Sequence, residues 1–150
     1  MAPHPNNFMA AEPHIVARLK EALAGLQPAV HVFTMADLAD VKESAQLVPA
    51  VHVVWGGFRV LEASARGDRA RLEHTWLCVA AVRNVAAARH GAAARQEAGE
   101  LIARAGAALM GLTLPNTTKP LGLAGAPQGG ASNGFMYLPL AFKTESIFSA

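Results

Sequence analysis

A chain of 150 residues, 52% hydrophobic and 16% charged, has the composition of a folded domain and lies outside the range of disordered tails and linkers. Its length fits one domain that removes about 70% of the unfolded chain's surface from water. A formal net charge of +2, with nine Arg among thirteen basic residues spread along the chain, lays down no basic stripe of the kind that binds nucleic acid.

Residues 1–11 carry two prolines, two asparagines and little periodicity, which predicts a flexible N-terminal arm ahead of a single domain over 12–150. Glu12-Pro13 opens a helix, since proline at the first helical position loses no needed hydrogen bond and Glu12 suits the positive end of the dipole. Ile15, Leu19, Leu23 and Leu26, with Val16 and Ala22, form its apolar stripe, and Gly25 and Pro28 stop it. Pro-Ala-Val-His-Val then occurs twice, at Pro28–Val32 and Pro49–Val53, each time opening a β-branched run. The first copy predicts a short strand over Val30–Phe33. Thr34 and Asp37 have the spacing of a capping box, predicting a helix to about Leu47 with Leu38 and Val41 turned inward. The second copy opens a strand over Val51–Leu61, interrupted by Gly56-Gly57 as at a bulge.

Polar Ala63–Arg71 reads as the tip of a long hairpin. Leu72–Val85 follows as the central strand. Leu72, His74, Trp76, Cys78, Ala80 and Val82 share one face; Glu73, Thr75, Leu77, Val79, Ala81 and Arg83 share the other. Apolar groups on both faces predict a central strand covered on both sides, or on one side by another subunit. Ala92–Leu112 is a long helix with a stripe of small and branched apolar residues. Residues 113–133 form a long Gly/Pro-rich loop, and Phe135–Phe142 a last strand that Pro139 assigns to an edge or bulge. The fold class is α+β. A small, mainly antiparallel sheet is packed by the N-terminal helix and the long helix of the C-terminal half, in the order helix–strand–helix–strand–strand–helix–strand.

No complete catalytic constellation emerges. His31, His52 and His74 all fall on predicted strands and could converge on zinc, but they lack a compact ligand pair and a supporting carboxylate. Ser132 has no nucleophile elbow and no later His as a base. The run Gly129–Gly134 leads into a strand, where a phosphate loop leads into a helix. Asp37, Asp40, Glu43, Glu97 and Glu100 read as helix caps and solvated charges. Cys78, alone and in an apolar strand, reads as an inert thiol and excludes an internal disulfide. No secretory signal or membrane span is expected, and the chain reads as soluble and intracellular when made. No metal, cofactor or enzymatic activity is expected. The densest basic group, Arg66, Arg69 and Arg71, has two readings: a solvated hairpin tip, the commoner outcome for a charge run, or an arm that pairs with acidic groups on a partner subunit.

Several segments carry a resemblance. They are Glu12-Pro13-His14-Ile15-Val16-Ala17-Arg18-Leu19, Pro49-Ala50-Val51-His52-Val53, Glu73-x-Thr75-Trp76-x-x-Val79, Val82-Arg83-Asn84 and Tyr137-x-Pro139-Leu140-Ala141-Phe142-x-Thr144. In these and in element order the chain resembles the tail terminator proteins of long-tailed bacteriophages and prophages. The resemblance implies a non-enzymatic subunit that forms a ring, typically of six copies, on the end of the tail tube. Such a ring stops tube polymerisation and offers a surface to head-completion or neck proteins. It implies assembly in the host bacterial cytoplasm and a final place at the tail–neck junction of the virion. Partners are further copies of the chain, the tail tube protein and a neck protein. No membrane and no specific nucleic-acid binding are expected, although DNA can pass through the ring. The candidate interface residues are Arg66, Arg69 and Arg71 at the hairpin tip, Arg83 on the central strand, and Phe135 and Tyr137 on the last. The competing expectations are a neck or head–tail connector subunit, and a small enzyme.

Overall fold

The computed structural model describes residues 2–84 and 92–150; the predicted strand end at Val85 lies outside them. Among the described residues, helix α1 spans Glu12–Leu23 and buries Ile15, Leu19 and Leu23, the stripe that the sequence lays out at helical spacing. Strand β1 covers His31–Thr34, helix α2 covers Met35–Leu38, and a short 3-10 turn covers Glu43–Ala45. Strands β2, Ala50–Ala63, and β3, Arg69–Arg83, form the long hairpin. Helix α3 covers Ala92–Leu109, and three strands close the chain: β4, Gly122–Ala124, β5, Gly130–Ser132, and β6, Phe135–Ser149.

The sheet has the order β1-β2-β3-β6-β4, with β5 also pairing β6, and every pair is antiparallel except β1 with β2. That parallel pair joins the two Pro-Ala-Val-His-Val copies. Phe33 lies opposite His52 and Val32 opposite Val51, so each copy sends its His to one face and its following Val to the other. A parallel pair needs a crossover connection, and residues 35–49 supply it.

Three elements depart from the expectations of the sequence. The second helix stops at Leu38 well short of Leu47, and Val41 is 44% exposed, because the crossover lies at the surface and offers no core for an inward stripe. The loop 113–133 contains β4 and β5. The last strand runs on to Ser149 and is interior, flanked by β3 along its length. Pro139 is tolerated there because β5 ends its pairing at Tyr137 and β4 begins at Ala141. Pro139 therefore sits where the second flank of β6 has no strand to receive an N–H. The Gly56-Gly57 bulge is present as a register shift between Trp55 and Phe58, with Gly57 at φ +93°.

Helices α1 and α3 cover one face of the sheet. Leu19, Leu23, Leu101, Ile102 and Leu109 from the helices pack on Val51, Val53, Trp76, Cys78 and Phe142 from the strands. Ala98 and Ala105, both fully buried, let α3 approach closely, and Gly106 takes this furthest: a Cβ there would lie 2.7 Å from Leu140 Cδ1. Among the described residues, the opposite face carries no α-helix of comparable length.

Candidate interaction surface

Directly opposed residues share a face, so the register assigns the open face from β1 to β6. At the end nearest β1 it presents an aromatic row. His31 stacks on Phe33 at 5.6 Å between ring centroids, Phe33 lies 6.3 Å from His52, and His52 lies 6.5 Å from Tyr137. The crossover closes over this row. Glu43 accepts from Asn133 Nδ2 at 2.7 Å, from Ser132 Oγ at 3.3 Å and, by a very short hydrogen bond, from the Tyr137 hydroxyl. Gln46 Nε2 donates to the Tyr137 oxygen at 2.7 Å. The Tyr137 bond, with those of Asn133 and Ser132, holds the Glu43 carboxyl below its ordinary pKa. Burial and the Glu43 bond push the Tyr137 phenol up. His52 Nε2 is buried without a hydrogen-bond partner among the described residues, and burial lowers that imidazole's pKa.

Toward the hairpin tip the same face turns ionic. Glu73 and Glu145 lie directly opposite each other on β3 and β6, a repulsive arrangement if left alone. Each is flanked by two cations. Glu73 Oε1 is 2.9 Å from Arg59 Nε and 3.2 Å from Lys143 Nζ; Glu145 is 2.8 Å from Arg71 Nη1 and 2.9 Å from Lys119 Nζ. Arg71 Nη2 also reaches Glu62 at 3.6 Å. The hydrogen bond from Arg59 keeps Glu73 below its ordinary pKa, and that from Lys119, with Arg71, does the same for Glu145. The belt consumes its own charges. It rigidifies three strands where no helix among the described residues covers them and adds little net attraction for a partner.

The candidate interface residues divide between the two ends of β3, about 45 Å apart at the rise of an extended strand. Arg66 and Arg69 stand exposed at the tip, and the Arg66 side chain is 88% exposed with Asp68 at 3.9 Å. Arg71 is committed to Glu145 and Glu62 within the chain. At the far end, Arg83 is exposed and its guanidinium sits 5.0 Å over the Phe135 ring, as in a cation–π contact. Phe135 is itself 1% exposed and supports that Arg from below. Tyr137 is half-buried under the crossover.

The three strand histidines do not converge. His31 and His52 belong to the open face and His74 to the helix-bearing face, and no group of three or more His, Cys, Asp or Glu among the described residues could hold a metal ion. A cavity of about 560 Å³ lies between the start of α3 and β5–β6. Among the described residues its lining includes Arg95, Gln96 and Tyr137 but no His, Cys, Asp or Glu. No helix among the described residues is long and apolar enough to cross a membrane.

The chain matches a family described as phage tail terminator protein over residues 5–150. The chain belongs to the phage tail terminator family. The matched span includes every strand and helix described above. The family is one of phage tail structural proteins, which assigns this subunit to the tail. No curated protein matches the chain.

Two groups escape a reading of the sequence. The ionic belt depends on register across three strands, and no spacing along the chain reports that Glu73 meets Glu145. The second group is an aromatic cluster on the helix-bearing face. Phe8 lies 5.1–5.7 Å from Trp55, Phe58, His74 and Phe148. It unites the arm with the last residues of β6, which the predicted strand end at Phe142 leaves out.

Proposed function

We propose that this subunit caps the tail tube as a ring of six copies, ends tube polymerisation and presents the head-joining surface. The family match over residues 5–150 carries this reading. The two-ended sheet is compatible with it. A terminator must hold a tube end with one surface and offer another that accepts no further tube subunit, and β3 separates two chemically unlike ends. The exposed tip with Arg66 and Arg69 suits an acidic partner surface, while Arg83 over Phe135 and the clamped crossover make the other end stiff. A ring needs a head-to-tail contact whose rotation closes. The partners are then further copies, the tube protein and a neck protein, with DNA passing through without sequence readout. Assembly takes place in the host cytoplasm, and the finished ring sits at the tail–neck junction.

The expected solution behaviour is direct. Light scattering over a wide concentration range should show a closed oligomer of about six copies, alone or on added tube, with ring-shaped particles by negative-stain microscopy. A monomer at every concentration, with and without tube, would remove the ring from the account.

A further inference from the structure

Beyond the reach of α1 and α3, the helix-bearing face of the sheet continues toward the hairpin tip, and its cover there is the N-terminal segment. Phe8 inserts among Trp55, Phe58, His74 and Phe148, and a gap of about 20 Å³ lies beside it against Pro5, His74, Trp76 and Ser146. The floor is fixed. Trp55 Nε1 donates to His74 Nδ1 at 3.4 Å, so the His74 proton sits on Nε2, facing Ser146 Oγ at 2.8 Å. Asn6 adds a polar pair at the rim, donating from Nδ2 to the Ser149 carbonyl at 2.7 Å and accepting the Ser149 amide at 3.4 Å. The recess is therefore fitted to this one sequence segment in shape and in hydrogen bonding.

Its own segment does not finish the job. Phe58 is 48% exposed, Val60 56%, Phe148 41% and Met9 37% with the segment seated, a concentration of large apolar side chains at one end of the molecule. The tether is also slight. Apart from the Asn6 pair, the polar ties from residues 4–9 to the body among the described residues are Asn116 Nδ2 to the His4 carbonyl at 3.5 Å and the Glu12 amide to the Met9 carbonyl at 3.1 Å.

We propose that the recess is a self-recognition site which, in assembled copies, takes the Phe8 segment of the neighbouring copy. This rests on the ring reading above. Every contact made within one chain can be made between two identical chains at little cost, since the element exchanged is the same. Exchange brings a second body over Phe58, Val60 and Phe148, which exchange-free folding leaves wet. In a closed head-to-tail ring each segment fills the next recess and none is left over.

The test mixes full-length Asn6→Cys and Ser149→Cys chains while dilute, concentrates them and oxidises gently. The native thiol does not compete: Cys78 is buried and its pKa is pushed up to about 12. The expected result is a two-chain band on a non-reducing gel that is strong in the mixture and weak in either variant alone. Phe8→Ala should also weaken self-association by at least about tenfold. The proposal is overturned if the mixture crosslinks no better than its parts while the double variant Asn6→Cys/Ser149→Cys closes within single chains. Rings seen alongside that result leave the terminator reading intact. A chain that stays monomeric and crosslinks only within itself overturns the exchange, and tail length then decides the terminator role separately.

Discussion

Glu43 is the residue on which the crossover depends. It gathers hydrogen bonds from Ser132, Asn133 and Tyr137, tying a surface segment to the β5–β6 turn across some 90 residues of sequence. Tyr137→Phe removes the hydroxyl that both Glu43 and Gln46 use, and should lower stability by about 1 kcal/mol in urea unfolding, with the fold retained. An unchanged midpoint would mean that the clamp contributes nothing. His52 behaves oppositely. Its Nε2 is buried without a partner among the described residues, so His52→Leu should leave stability equal or raised. A clear loss would show that Nε2 has a partner after all. The pH dependence follows from the same groups. Glu43, Glu73 and Glu145 titrate below the ordinary 4.5 in the folded chain. The unfolded chain therefore binds more protons below pH 4.5, so their contribution is complete above that value and is lost as pH falls through the folded values. His52 and His74 are also lowered, from 6.5, by burial. Their sign is the same: full stability above pH 6.5, declining below it as the unfolded chain takes up protons first. Urea midpoints should thus be flat from pH 7 to 8 and fall in two stages on acidification, the upper stage shrinking in His52→Leu.

At the scale of elements, close approach sets the tolerances. A Cβ on Gly129 would stand 2.5 Å from the Tyr137 carbonyl oxygen, a backbone atom that cannot step aside. Gly129→Ala should cost about 1–3 kcal/mol by displacing β5 from β6, read by thermal unfolding. At Gly106 the obstructing atom is the mobile end of Leu140, so Gly106→Ala should be milder. In the core, Leu19→Ala should cost about 2–5 kcal/mol. The stripe of α1, the capping box at Thr34 and the Gly56-Gly57 bulge are all legible in the sequence, because each depends on neighbours within one turn or one ladder step. Features set by distant partners are not legible. Val41 looks inward-facing by period and lies exposed, since the period says nothing about whether a core is there to receive it. Pro139 looks like an edge marker and sits on an interior strand, because the gap between β4 and β5 accommodates it. Arg71 looks like its neighbours Arg66 and Arg69 and is committed to Glu145 and Glu62 only once β6 is in register.

For the whole molecule, the pairing of Arg71 with Glu145 and Glu62 leaves Arg66 and Arg69 as the exposed cations of the hairpin tip. Arg66→Glu with Arg69→Glu should leave the unfolding midpoint within about 0.5 kcal/mol, as surface changes do, while weakening ring or tube binding. Adding Arg71→Glu would set a third carboxylate against Glu62 and Glu145 and confuse a folding defect with a binding one. Normal tail completion by the double variant would separate the tip from the partner surface. The central claim concerns tail length, so the deciding measurement is the length distribution of tails, by electron microscopy, from particles made without this gene product and from the same strain complemented with it. A terminator predicts tubes that overrun the normal length when the protein is absent and return to one length when it is restored. Tails of normal length lying apart from tail-less heads would contradict it and assign the protein to the neck.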